Sequence, residues 1–400
     1  MKQPLPDSLA AQKPGSDYNA GLWYDKFCNQ WCRDPQKEGS DCWSLESFTQ
    51  GKGKNKITIT PKDEWIAGTA DHLVGNSSLL DEQRRRLRTL VSARGGRLLY
   101  FQTEARFVTG LGRAHPVENG FAWHHTLGTP YLPGSSLKGL MRAWAQEQGE
   151  QEPDINRIFG PRGQREPACG SVVFFDALPT QPVRLEAEVM TPHYGPYYQD
   201  EAAKTPPADW HDPVPIPFLA VAAAQPFIFA FAPRRRHEAQ DSADCAAVAG
   251  WLKEALAWLG AGAKTSVGYG RFRLDSAVTE AAAEEQRQAE EQRRHEAALA
   301  ERLRNLSPLA QQLEREIDQH HLERDKNAFN EPPFIEQWLD KLEADPATDA
   351  LERFCGLMNA HFSGLLENPD KTKGKKNKFV FKDRQRKNAE RLLALKDQQR

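Results

Sequence analysis

The 400-residue sequence is short of cysteine, of long apolar runs and of net charge, and each shortage removes a class of protein. Its six cysteines (Cys28, Cys32, Cys42, Cys169, Cys245 and Cys355) are too few and too scattered for a disulfide framework. A reducing compartment, the cytoplasm, is therefore expected. Cys28, Cys32 and Cys42 offer three thiolates, but the second closely spaced ligand pair of a structural zinc site is missing, so no metal is expected. The most apolar run, "FLAVAAAQPFIFAFA" (218–232), has 15 residues and contains Gln225 and Pro226. It is too short to cross a bilayer and reads as buried strand. The start, "MKQPLPDSLAAQKPGSD", lacks the apolar segment of a signal peptide, and none is expected.

The formal net charge of -2 conceals an uneven distribution. Residues 1–275 carry 31 basic and 31 acidic side chains, residues 276–370 carry 10 and 21, and residues 371–400 carry 12 and 3. A neutral body is followed by an acidic segment and a basic tail. The composition changes at the same place. "TEAAAEEQRQAEEQRRHEAALAERLRNL" (279–306) is dense in Ala, Glu and Arg and strongly helical. Residues 276–400 are predicted to form a mostly α-helical extension ending in the basic tail (371–400), and residues 1–275 to form a separate domain.

Within that domain, residues 1–97 read as an irregular elaboration holding one helix at 77–96, with Ser77 or Ser78 as its cap. Strands are predicted from "RLLYFQTEARFVTG" (97–110), "GSVVFFDALP" (170–179), "VRLEAEVMTP" (183–192), "QPFIFAFAP" (225–233) and "YGRFRLD" (269–275). Helices are predicted at 131–149 and 243–260. The order of strand, helix, strands, helix and strand predicts an α+β, modified ferredoxin-like domain with long insertions. One insertion, 193–217, has six prolines with Tyr and Trp and reads as a functional loop.

The segment "GAGAKTSVGYGRF" (260–272) resembles a nucleotide-binding loop at first sight. A Walker loop requires glycine just before its lysine and again six residues before it, and here Ala263 and Trp258 stand there. The order of elements is also wrong, because this loop leaves a helix and enters a strand. No nucleotide cofactor is expected. Gly260 as a helix C-cap and Gly268 with Gly270 as a strand bulge explain part of the pattern structurally. The alternative is contact with an RNA backbone: glycines allow close approach, Lys264 adds charge and Tyr269 a stacking face. A second constellation opens the 131–149 helix. Ser135 and Ser136 are predicted to cap it, with Lys138 and Arg142 four residues apart on one face as a phosphate seat. A capped helix with ordinary surface charges is the plainer reading.

Together, "PYLPGSSLKGLMRA" (130–143) and the glycine loop resemble the RAMP superfamily of CRISPR RNA-binding proteins. Three more segments, "NAGLWYDKF" (19–27), "MTPHYGPYYQ" (190–199) and "PPADWHDPVPIPFLAV" (206–221), resemble within it the sixth subunits of the Cmr complex, the type III-B CRISPR effector. The resemblance runs across about residues 19–275 and leaves 276–400 uncovered. It implies an RRM-like fold and a non-catalytic subunit of an antiviral ribonucleoprotein. Such a subunit holds guide crRNA near its 3′ end without reading sequence, beside the backbone and first Cmr subunits and in the presence of target RNA. By position it implies guide contacts at Gly134, Ser135, Ser136, Lys138, Arg142, Gly262, Lys264, Thr265, Gly268 and Tyr269. His193, Tyr194, Tyr197 and Tyr198 are family-like, and the resemblance leaves open whether they touch RNA or a neighbouring subunit.

Two rivals stand beside this reading. A RAMP-type endoribonuclease processing CRISPR precursor RNA would use His124, His125 or His193 as general base and Lys264 as charge stabiliser. A pure interaction protein would work through the tail, where Lys371, Lys373, Lys375, Lys376 and Lys378 are followed by Phe379 and Phe381.

Overall fold

A computed structural model of the chain describes residues 18–33, 43–50, 57–163, 168–200, 204–373 and 378–398. The chain divides into two compact units, Met1–Gln286 and Arg287–Arg400. Cys42 and the lysines at 375 and 376 lie outside the described residues. No described helix is long and apolar enough to cross a membrane.

The first unit contains α1 (Ala20–Lys26), α2 (Pro61–Thr69), β1 (Leu73–Val74), α3 (Ser77–Ala93), β2 (Arg97–Thr103), α4 (Gly134–Glu147) and α5 (Glu152–Phe159). It continues through β3 (Val172–Phe174), β4 (Leu178–Pro179), β5 (Val183–Met190), α6 (Gly195–Gln199), β6 (Ile216–Val221), β7 (Pro226–Pro233), α7 (Ala239–Trp258) and β8 (Phe272–Leu274). The described residues before 97 are thus more regular than their sequence suggests. The side chain of Asn76, not a serine, caps α3 by accepting from the Leu79 amide at 3.1 Å.

The main sheet is antiparallel, in the order β3–β7–β2–β8, with β4 also pairing β7. β7 is covered on both faces, which explains its unbroken apolar run. Phe227, Phe229 and Phe231 pack in one core with Leu137 and Met141 of α4 and Val248, Leu252 and Leu256 of α7. Ile228 and Ala230 pack on the other side with Leu80, Leu87 and Val91 of α3. Residues 218–232 are two strands rather than one. They are separated by a turn in which Ala224 has φ +60° and the Gln225 amide donates to Thr103 Oγ1 at 2.8 Å.

β5 joins a second sheet, in the order β6–β5–β1. Its alternation holds at the start, where Val183 and Leu185 are buried, and then reverses: Ala187 and Val189 are exposed while Glu186 and Glu188 are half-buried. Those two carboxylates turn inward because Arg106 pairs with both.

α8 (Ser276–Leu303) crosses from the first unit to the second. Its opening turns belong to the first: Thr279 Oγ1 accepts from the Tyr100 amide at 3.0 Å, Ala282 is buried and Glu285 pairs with Arg88. The unit boundary consequently falls inside the helix and not at its first residue.

The second unit adds α9 (Pro308–Gln319), α10 (Lys326–Asn330), α11 (Phe334–Ala344), α12 (Thr348–His361), β9 (Thr372–Lys373), β10 (Lys378–Phe379) and α13 (Asp383–Gln398). Its own core gathers Leu313, Phe329, Trp338, Leu339, Phe354 and Leu392. The described residues of the basic tail are therefore folded. Ala389, Leu392 and Leu395 of α13 enter the core, and Phe381 packs against it instead of standing free. Arg384 grips Glu336 with two hydrogen bonds at 2.5 and 2.6 Å.

Candidate nucleic-acid interface

α4 begins where it does because its first amide is caught from outside. The Gly134 N–H donates to Asp176 Oδ1 at 2.7 Å, and a Cβ on Gly134 would stand 2.5 Å from the Phe174 carbonyl oxygen. The helix start can lie this close to the end of β3 only without a side chain. Ser135 and Ser136 do not cap it; Pro133 is the cap residue and Asp176 supplies the acceptor. Freed from capping, both serines are exposed, as is Gly139, with Lys138 half-buried beside them.

Arg142 does not belong to that surface. Its side chain is buried, donating from Nη1 to the Gly160 carbonyl at 2.6 Å and from Nη2 to Asn156 Oδ1 at 3.0 Å. The guanidinium satisfies the C-terminal end of α5, where carbonyls lack helical partners. Lys138 and Arg142 share a helix, but only Lys138 is available to a phosphate.

The glycine loop is built chiefly by backbone crowding. Gly260 ends α7 with φ +73°, its amide donating to the Ala255 carbonyl at 3.1 Å. At Gly262, with φ +89°, a Cβ would meet the Val108 carbonyl oxygen at 2.1 Å. The amides of Ala261, Ala263 and Gly270 donate to Gly270, Val108 and Arg106 carbonyls, each at 2.8 Å. Those of Val267, Gly268 and Tyr269 close the Thr265–Val267 turn onto Lys264 and Thr265. Most of this backbone is thus engaged within the protein, and what faces outward is the tip: Gly262, Ser266, Val267 and Gly268.

Lys264 is held at φ +60°, a left-handed conformation that is strained for a side chain with a Cβ. Its ammonium lies 5.4 Å from the Phe218 ring centroid and makes no ion pair among the described residues. Tyr269 is not a free stacking platform. Its ring packs against Phe218, its hydroxyl donates to Glu188 Oε2 at 2.9 Å, and burial with the Glu188 charge raises its pKa. Arg106 is neutralised by Glu186 and Glu188. Lys264 therefore remains for an anion, while Arg271 donates from Nη2 to the Thr265 carbonyl at 3.4 Å.

Topology relates the two constellations. α4 leads back from the end of β2 to the start of β3, and α7 returns from the end of β7 to β8, whose Phe272 lies opposite Thr103. The helices run in opposite senses on one face of the sheet, so the start of α4 and the loop after α7 fall toward the same end. Asp176, Val108, Phe218 and Glu188, which position them, were not singled out from the sequence; each acts through a contact distant in the chain.

The remaining candidates lie apart in the chain. His193 is exposed after β5, Tyr194 donates to Asp209 Oδ1 at 3.2 Å, and Tyr197 and Tyr198 meet edge to face on α6, both exposed. His124 is committed to its own turn: Nδ1 lies 3.4 Å from the Leu127 amide that donates to it, and burial lowers its pKa. Among the described residues no cluster of His, Cys, Asp and Glu is arranged to hold a metal ion.

Residues 100–273 match the family model of the RAMP superfamily, which spans the main sheet, both helices on its shared face and the glycine loop. The Cmr6 subunit of the Pyrococcus furiosus CRISPR system is 32% identical over 235 residues, covering 43% of this chain and 66% of that protein. The crystal structure of Cmr6 from the same organism is 31% identical over 45% of this chain and 97% of the solved one, with a TM-score of 0.29. A chain of the type III-B Cmr-beta complex bound to cognate target RNA is 25% identical over 50% of this chain and 64% of its own length, with a TM-score of 0.37. This chain thus spans just under two thirds of the length of the curated relative it matches. The chain is similar to Cmr6 proteins, and its residues 100–273 to the RAMP superfamily.

Proposed function

We propose that the protein is a non-catalytic subunit of a type III-B CRISPR effector ribonucleoprotein. In this reading its first unit is a modified ferredoxin-like, RRM-like domain that holds crRNA near the 3′ end of the guide. It docks beside the backbone and first Cmr subunits, and it contributes to assembly and to engagement of target RNA in antiviral defence. The observation that carries the reading is the convergence of two surfaces toward one end of the sheet. One offers Ser135, Ser136 and Lys138 on the first turn of α4; the other offers Lys264 and the tip Ser266–Gly268. Hydroxyls and two ammonium groups suit phosphate and sugar, and no arrangement there is suited to reading bases. That is what a protein serving guides of any sequence requires.

The test is a reconstituted complex carrying Lys138→Gln and Lys264→Gln. Guide retention should fall, with a weaker salt dependence, while subunit composition at low salt is kept. Unchanged retention would remove the proposed surface. In the same assembly, His124→Ala, His125→Ala and His193→Ala should leave target cleavage intact. Loss of cleavage with normal guide occupancy would overturn the non-catalytic reading.

A further inference from the structure

One end of the main sheet gathers arginines from two distant stretches of chain. Residues 94–97 and 233–238 together hold five arginines and one acidic residue. Register brings them side by side: Arg97 opens β2 opposite Phe231, two residues before β7 ends at Pro233. The approach is close because Gly96 has no side chain; a Cβ there would stand 2.2 Å from the Phe231 carbonyl oxygen. The turn after β7 is then pinned at three points. Arg94 Nη2 donates to the Arg234 carbonyl and, at 3.4 Å, to that of Pro233. The Arg234 amide donates to the Ser171 carbonyl at 2.8 Å. Arg235 closes onto buried Asp241, its amide and Nε 2.9 and 3.1 Å from Oδ2 and its Nη2 2.8 Å from Oδ1.

Arg94 and Arg235 therefore serve the scaffold, and the buried acids beside them are engaged as well. Asp241 is filled by Arg235, and Asp244 accepts from Arg157, Ser171 and Gln240. Arg97, Arg234 and Arg236 differ: they are exposed and make no ion pair among the described residues. Burial raises the Cys245 thiol to about 11 and the Arg97 charge opposes it, while Arg234 adds its charge to the Arg235 bonds that lower the Asp241 pKa. Asp241 and Cys245 stand on the first two turns of α7, so both arginines border the same part of that helix. Neither arginine stretch contains a large apolar side chain. A protein partner would look for an apolar centre, whereas a phosphate backbone is held by charge alone.

We propose that this corner, through Arg97, Arg234 and Arg236, is a second RNA contact that grips the phosphates of single-stranded RNA without sequence preference. It lies at the opposite end of the sheet from the glycine loop. β2 runs from Arg97 to Thr103, which faces Phe272, an interval of roughly 20 Å. The corner is thus independent of the guide surface assigned above. Guanidinium groups meet phosphate oxygens two at a time, and each phosphate neutralised releases counterions.

The full chain tests this with a single-stranded RNA of about 30 nucleotides and mixed sequence, titrated between roughly 50 and 200 mM salt. Replacing the three arginines with glutamine should reduce the log–log salt slope by about 0.7 for each phosphate no longer neutralised, up to about 2.1. Lysine at the same positions should restore it, because counterion release follows charge. An unchanged slope in the glutamine variant overturns the proposal. So does a failure of lysine to restore the slope at an unaltered melting temperature, or a parent chain that binds no RNA at about 50 mM salt. If the threefold variant does not fold, Arg234→Gln and Arg236→Gln alone should each lower the slope by about 0.7, and an unchanged slope in either overturns it. A poly-glutamate probe bound through these arginines, with the RNA slope unaffected, also overturns it and marks an acidic-protein site. Lys138→Gln with Lys264→Gln, measured alongside, separates the two surfaces: a slope that falls only in that variant leaves the guide surface standing and removes this one.

Discussion

The two units solve the same stability problem by different means. The first is built on a sheet with an aromatic interior, where Phe101, Phe227, Phe229 and Phe272 interlock edge to face, as do Phe231 and Phe174. The second is a helical bundle with a smaller core, girdled by arginine–carboxylate pairs such as Arg353 with Glu314 and Glu323, and Arg384 with Glu336. In the first unit, the residues assigned to RNA are carried on a loop and a helix start that backbone contacts fix. In the second, charge is part of the scaffold, so a basic residue there cannot be read as a binding residue until its partner is known. Arg142 shows that the same caution applies within the first unit.

Breaking the second unit requires removing α13. Deletion of 383–398 strips Leu392 and Leu395 from the core, roughly 1.5–3 kcal/mol each, along with the Arg384 and Arg391 pairs. Hydrogen exchange should show loss of protection through α9–α12 while the main sheet stays protected. Protection retained in α11 would contradict the assignment of α13 to the core.

Gly262→Ala is the corresponding break in the first unit. It places a Cβ against the Val108 carbonyl and forces φ +89° on alanine, with an expected cost of about 3 kcal/mol. A melting temperature within a degree of the parent would show that the loop backbone is not held as described. Arg142→Ala should cost about 1–3 kcal/mol, because the Gly160 carbonyl loses a buried donor. It should leave the salt slope of RNA binding unchanged, and a reduced slope would return Arg142 to the interface.

The smallest effect concerns pH. The Arg384 guanidinium holds the Glu336 carboxyl at a pKa of about 2, below its ordinary 4.5. A folded pKa below the unfolded one gives stability that is fully present above 4.5 and is lost as pH falls toward 2. Glu336→Gln should flatten this part of the acid-unfolding curve for the second unit. An unaltered curve would show that the pair is too well solvated to matter.

The main strands and the helices α4 and α7 could be read from periodicity, because amphipathic helices and Phe-rich strands carry local signals, while α5 and the division of 170–179 and 218–232 into two strands each could not. So could the failure of the glycine loop as a nucleotide site, which depends only on spacing. Roles set by distant contacts could not be read. Asp176 rather than a serine engages the first amide of α4, Arg142 serves α5, and Tyr269 is taken by Glu188. A run of basic residues at 371–400 carries no sign of which cations are paired, since their partners lie about fifty residues upstream in the cases of Arg384 and Arg391.

The central claim is that RNA lies across the start of α4 and the tip of the glycine loop. Ultraviolet crosslinking of the assembled complex on its guide, with the attached peptides identified by mass spectrometry, tests it most directly. Guide nucleotides near the 3′ end attached within 134–139 and 262–269 are the predicted result. Guide adducts confined to other segments of a properly assembled complex would contradict it.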